Sequence, residues 1–134
     1  MNPNKQSAFL AQINESYIMT HDDICQCIMH DPPAVLLDGV YTLSETEIVC
    51  GKYLSPEDFF FNGHFKDNPI YPAHVGIELV AQSGLVLMMK KHAKNSSIPM
   101  IIGIERAKFR KPMLPADQLC IKVNIRHKSQ YVAS

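Results

Sequence analysis

The sequence predicts an α+β fold in which a curved antiparallel sheet wraps around one long helix, and three observations predict it. Residues 74–91 are free of proline, and Val75, Ile77, Leu79, Val80, Ala81, Leu85, Val86, Leu87, Met88 and Met89 point in nearly every direction around a helical axis. A helix apolar all round is a buried helix. Residues 118–127 alternate, with Leu119, Ile121, Val123 and Ile125 on one face and Cys120, Lys122, Asn124 and Arg126 on the other, as a half-buried antiparallel strand does. Residues 34–42 and 47–54 read as two more extended segments joined by a polar turn at Ser44-Glu45, which makes a hairpin. Strands gathered around one buried helix belong to the α+β class.

The remaining elements follow in order. Phe9, Leu10, Ile13, Tyr17 and Ile18 keep helical spacing across 7–19, and Thr20 can cap a second short helix reaching Met29. Pro32-Pro33 then stops helix. In 55–73, Pro56, Gly63, Pro69 and Pro72 deny regular structure, while Phe59, Phe60, Phe61 and Phe65 make the stretch aromatic. A loop that apolar is expected to pack down and to line something. Lys94-Asn95-Ser96-Ser97 and Pro99 end the long helix, and 100–110 is extended again, with Arg106, Lys108 and Arg110 on one side as a basic stripe.

Composition narrows the class. A chain of 134 residues with 46% apolar content fits one globular domain. Lysine and arginine total 13 and aspartate and glutamate 13, so no net charge draws the chain toward nucleic acid or anionic lipid. Of the four cysteines only Cys25 and Cys27 lie close, and no second pair or spaced histidine completes a zinc site, so no metal is expected. Buried thiols suit a reducing cytoplasm. The polar start lacks the pattern of a signal peptide, and no stretch reaches the ~18 apolar residues of a membrane span. A soluble cytoplasmic protein is the expectation.

Two residues carry candidate chemistry. Glu78 falls about six residues into a helix that starts near Pro72, past the first turn where a carboxylate caps or answers the dipole. Its neighbours are apolar, and a carboxylate buried among them would tend to stay protonated and able to donate. Gln82, one turn on, is placed to hydrogen-bond it. The alternative is a thin polar stripe, Glu78 with Gln82, reaching solvent. His64 sits in the aromatic loop, mostly neutral at pH 7 with an ordinary pKa of about 6.5, and could remove an acidic proton. In isolation the ordinary reading is a loop histidine satisfied by a backbone carbonyl.

The run Phe60-Phe61-Asn62-Gly63-His64-Phe65, then Asn68-Pro69-Ile70-Tyr71-Pro72, then Ile77-Glu78-Leu79-Val80-Ala81-Gln82, closely resembles the signature of bacterial 3-hydroxyacyl-acyl-carrier-protein dehydratases of the FabZ/FabA type. In that family Gly-His-Phe precedes a Pro-Gly-Val turn and a helix bearing Glu or Asp followed by Ala-Gln. The spacing from histidine to acid, 78 − 64 = 14 residues, matches without a gap. His30-Asp31-Pro32-Pro33-Ala34-Val35-Leu36-Leu37-Asp38 upstream and Ala107-Lys108-Phe109-Arg110-Lys111-Pro112 with Pro115-Ala116-Asp117-Gln118-Leu119 downstream resemble further family motifs. Alanine stands at 73 and at 116 where the family has glycine.

The resemblance implies a hotdog fold over 20–134 behind an N-terminal extension, 1–19. It implies a homodimer, often assembled into a hexamer, with histidine of one subunit facing the acid of the other. His64 would take the C2 proton and Glu78 would protonate the departing C3 hydroxyl. The Ala73 backbone N–H would meet the thioester carbonyl, with Gln82 and Phe65 also contacting substrate. Arg106, Lys108, Arg110 and Lys111 would meet acidic acyl carrier protein, whose phosphopantetheine carries the substrate, and no cofactor is needed. A hotdog acyl thioesterase and a non-catalytic acyl-binding paralogue remain as alternatives. The family also continues past 130–133 with another strand, so the resemblance implies either a partner covering that edge or a longer protein.

Overall fold

The computed structural model describes residues 3–91 and 98–126. Helix α1 (Pro3–Glu15) leads into β1 (Met19–Thr20) and α2 (His21–Cys27). A hairpin of β2 (Gly39–Leu43) and β3 (Glu47–Tyr53) follows, then a single 3-10 turn (Phe59–Phe61), the long α3 (Ala73–Lys91) and β4 (Gln118–Asn124). The four strands form one antiparallel sheet in sequence order.

Local chemistry accounts for most boundaries. Thr20 caps α2 in a reciprocal box: its hydroxyl accepts from the Asp23 N–H, and the Asp23 carboxylate accepts from the Thr20 N–H at 2.8 Å. The Thr20 hydroxyl also donates to that carboxylate at 3.0 Å, and the bonds it accepts from the Thr20 N–H and hydroxyl favour the ionised form and hold Asp23 below the usual carboxylate range. The hairpin turn is closed by Ser44, whose N–H donates to the Glu47 carbonyl and whose hydroxyl accepts from the Glu47 N–H at 3.0 Å. Helix α1 starts and stops earlier than its periodicity predicts, and beyond its end Met19 pairs with Val40 of β2 while Tyr17 packs on the sheet. The Tyr17 ring lies where a Cβ on Gly39 or Gly51 would stand, and these two glycines face each other across β2 and β3.

The core lies between α3 and the sheet. Val75, Leu79 and Val86 of α3 are buried with Ile48 and Cys50 of β3 and Ile121 of β4, and Ile24 and Ile28 of the α2 region belong to the same cluster. Strand β4 alternates as predicted, and it pairs with β3 in unbroken register from Glu47 opposite Asn124 to Tyr53 opposite Gln118.

Two expectations are corrected. The long helix is not buried on every side: Val80 is 49% and Met88 46% exposed, because one four-stranded sheet covers only one flank. Residues 100–110 form no strand and join no ladder among the described residues, with a bend at Glu105, and Ile102 is 87% exposed. Alternation there met no strand to pair with. Residues 94–97, expected to end α3, and everything beyond Arg126 lie outside the described residues.

The loop entering β4 carries one unusual conformation. Leu114-Pro115-Ala116-Asp117 is a β-turn closed by the Asp117 N–H on the Leu114 carbonyl at 3.1 Å, with proline at its second position and Ala116 at φ 70°. A positive φ at the third position is the type II pattern that glycine serves. The left-handed region costs an L-residue about 1–2 kcal/mol, and glycine loses about 0.4–1 kcal/mol through the unfolded chain. Ala116→Gly should therefore raise stability by roughly 0.5–1 kcal/mol; a midpoint in urea unchanged or lowered would contradict this.

Candidate active site

His64 is placed by the turn before it. Gly63 takes φ 78°, a conformation glycine adopts freely, and the Ile70 N–H donates back to the His64 carbonyl at 2.7 Å. The loop thus closes on itself and sets the ring, whose Nδ1 lies 2.7 Å from the Ile70 carbonyl oxygen. A carbonyl can only accept, so Nδ1 carries the proton and Nε2 of the neutral ring keeps its lone pair. Phe65 stacks on the imidazole with ring centroids 4.4 Å apart.

His64 lines an open groove of about 480 Å³. Ala73, Ile70, Tyr71 and Met113 form its apolar lining, and Lys108, Arg110 and Lys111 its charged lining. Ala73 is the first residue of α3, so its N–H belongs to the four that have no carbonyl within the helix. Its φ is not positive, so alanine stands here without the strain seen at Ala116.

Glu78 is placed from behind by Gln82. The Gln82 amide donates to Glu78 Oε1 at 2.9 Å and to the Ala34 carbonyl at 2.7 Å, and its carbonyl accepts the Leu36 N–H at 2.9 Å. Gln82 is only 1% exposed, whereas Glu78 is half-buried. The amide end of the pair is thus enclosed, while the carboxylate is neither fully buried, as its apolar neighbours predict, nor fully solvated. Gln82 joins the helix to 34–36 as well as to Glu78.

The structure therefore gathers His64, Ala73, Lys108, Arg110 and Lys111 around one groove and sets Glu78 with Gln82 elsewhere on α3. Glu78 follows Ala73 by 78 − 73 = 5 residues, which at 3.6 residues per turn puts it about 140° around the helix. Phe65 touches His64 but does not line the groove, and neither does Arg106. The Ile70 carbonyl and Met113 had no signal in the sequence: one is a backbone atom, the other an ordinary methionine. Among the described residues no group of three or more His, Cys, Asp or Glu side chains could hold a metal ion. No described helix is long and apolar enough to cross a membrane.

This architecture is that of a hotdog protein. In the dehydratase heterocomplex ApeI:P from Xenorhabdus doucetiae, a chain superposes with a TM-score of 0.65 at 20% identity, covering 80% of this chain and 73% of that one. Residues 29–133 match the model of the FabA-like domain, and the chain belongs to that family. Among curated relatives, the 3-hydroxyacyl-[acyl-carrier-protein] dehydratase FabZ of Lactococcus lactis is 33% identical over 84% of this chain and 75% of its own length. Those of Petrotoga mobilis and Thermotoga neapolitana are 36% and 38% identical, over 82% and 78% of this chain and 78% and 74% of their own lengths.

Replacing Gln82 by methionine keeps the volume and removes the amide. The Leu36 N–H loses its partner, and the expected loss of stability is roughly 1–3 kcal/mol. Urea unfolding reads it, and a wild-type midpoint in Gln82→Met would show that the amide joint is dispensable.

Proposed function

We propose that His64 and Glu78 are the base and acid of a dehydratase site built by two copies of the chain. The reaction is loss of water from a (3R)-3-hydroxyacyl-acyl carrier protein to give the trans-2-enoyl thioester, a hydro-lyase step of fatty acid or related lipid synthesis. The observation that carries the reading is the His64 ring, fixed by the Ile70 carbonyl in the wall of a groove with Nε2 left as a base.

Nε2 takes the C2 proton, which the neighbouring thioester makes acidic. As the electron pair moves toward the thioester carbonyl, the Ala73 N–H at the head of α3 donates to the developing oxyanion, favoured by the positive end of the helix. The pair then forms the C2–C3 double bond while Glu78 gives its proton to the C3 hydroxyl, which leaves as water. Solvent returns the proton from His64 to Glu78. The separation of Glu78 from the groove of its own chain supports a site in which each subunit's histidine meets the other's acid.

The same reading makes residues 1–19 an extension of a hotdog domain at 20–134. It places the protein in the cytoplasm as a homodimer that can assemble as a trimer of dimers. No cofactor of its own takes part, because the substrate arrives on phosphopantetheine. Lys108, Arg110 and Lys111 at the groove, with exposed Arg106 beside them, dock the acidic carrier.

Hydration of a trans-2-enoyl thioester tests the proposal. His64→Ala and Glu78→Gln should each lower kcat by about 10²–10⁴. In dimers of the two variants co-expressed, half the sites of a mixed dimer are intact, so activity should return to about a quarter of wild type under two-fold symmetry. Wild-type inactivity on every chain length would sink the reaction, and no recovery on mixing would sink the shared site. Release of free thiol would identify a thioesterase instead.

Docking has its own test. Lys108→Glu with Arg110→Glu should raise KM several-fold for the carrier-linked substrate, and less for the pantetheine-linked one. Equal effects on both would assign these cations to the small substrate rather than to the carrier.

A further inference from the structure

We propose that Met113, lying against Gly76, sets the inner limit of the groove and thereby selects acyl length. The inference rests on the dehydratase reading above. The groove offers both kinds of group a carrier-bound thioester needs: its cations, Lys108, Arg110 and Lys111, suit the carrier and its phosphate, while Ile70, Tyr71, Phe109, Pro112 and Met113 suit the hydrocarbon tail. In this proposal the tail lies against Met113.

What lies behind that methionine decides what it does. Gly76 follows Ala73 by 76 − 73 = 3 residues, so both lie on the same face of α3. The helix surface leading inward from the groove thus has no side chain one turn on, and the Met113 thioether occupies that space. A Cβ on Gly76 would come 3.2 Å from Met113 Cε and 3.8 Å from its Sδ. Only the side chain is free to adjust. The Met113 carbonyl accepts the N–H of Tyr71 at 2.8 Å, Tyr71 is 1% exposed, and the Leu114 N–H is held by the Asp117 carboxylate at 2.8 Å. Methionine, unbranched and flexible, is the residue type that can close such a gap and yield to a longer ligand.

Two substitutions should act in opposite directions. Met113→Ala removes the thioether and opens the groove along the glycine face, so the ratio of kcat/KM for a 3-hydroxydodecanoyl over a 3-hydroxybutyryl thioester should rise by about tenfold or more, the effect of a methylene or two in an apolar pocket. Gly76→Ala pushes the thioether the other way, and the same ratio should fall. Met113→Val, a smaller truncation, should give an intermediate rise and serves if the alanine variant fails to fold, which circular dichroism and a melting curve report. Wild-type ratios in properly folded Met113→Val and Gly76→Ala would overturn the proposal while leaving the dehydratase reading intact. A uniform change in KM at every chain length would also overturn it, placing Met113 against the pantetheine arm. A wild-type protein inactive on all thioesters would remove the dehydratase reading and this inference together.

Discussion

The side-chain amide of Gln82 is the joint on which the site depends. An apolar contact between a helix and a loop tolerates sliding, because the hydrophobic effect has no direction. Hydrogen bonds do not, and Gln82 makes three in fixed directions: to the Ala34 carbonyl, to the Leu36 N–H and to Glu78. Buried without those partners the amide would cost several kcal/mol, so only one register of α3 against 34–36 satisfies it. The rotation of the helix, the path into β2 and the direction of the Glu78 carboxyl are set together.

His64 is held by a different device toward the same end. Its orienting partner is the main-chain carbonyl of Ile70, delivered by a loop that returns on itself through Gly63. Each candidate reacting group is thus held by one hydrogen-bond partner, Glu78 by the Gln82 amide and His64 by the backbone. Groups fixed in this way need little reorganisation when charge develops, which is the main source of electrostatic catalysis.

Much of this was legible in the sequence where a local pattern sufficed. The cap at Thr20, the turn at Ser44, the alternation of β4 and the length of α3 are written within a few residues each. What failed was non-local. Alternation over 100–110 makes a strand only if another strand stands beside it, and composition cannot say which flank of α3 a sheet will cover. Among the candidate residues, the Gln82–Glu78 hydrogen bond was readable from one turn of helix, and His64 was singled out by its motif. Met113 was not, because its place follows from a side chain missing at Gly76, far away in the chain. Alanine at 73 and at 116 looked alike beside the family's glycines, yet only Ala116 has a positive φ.

The slot that receives Tyr17 has an evolutionary consequence. Gly39 and Gly51 face each other across β2 and β3, and the ring fills the volume both leave empty. Strands otherwise favour branched and aromatic residues, so these two positions hold glycine against their own propensity. Neither glycine can change alone while the ring is present, and a Cβ on Gly51 would also come 2.8 Å from the Tyr41 ring. Loss of the Tyr17 ring would therefore release Gly39, while Gly51 would stay constrained by Tyr41 as well. Descendants of this chain should vary at 17 and 39 together, and at 51 only when 41 changes too, although those positions lie apart in sequence.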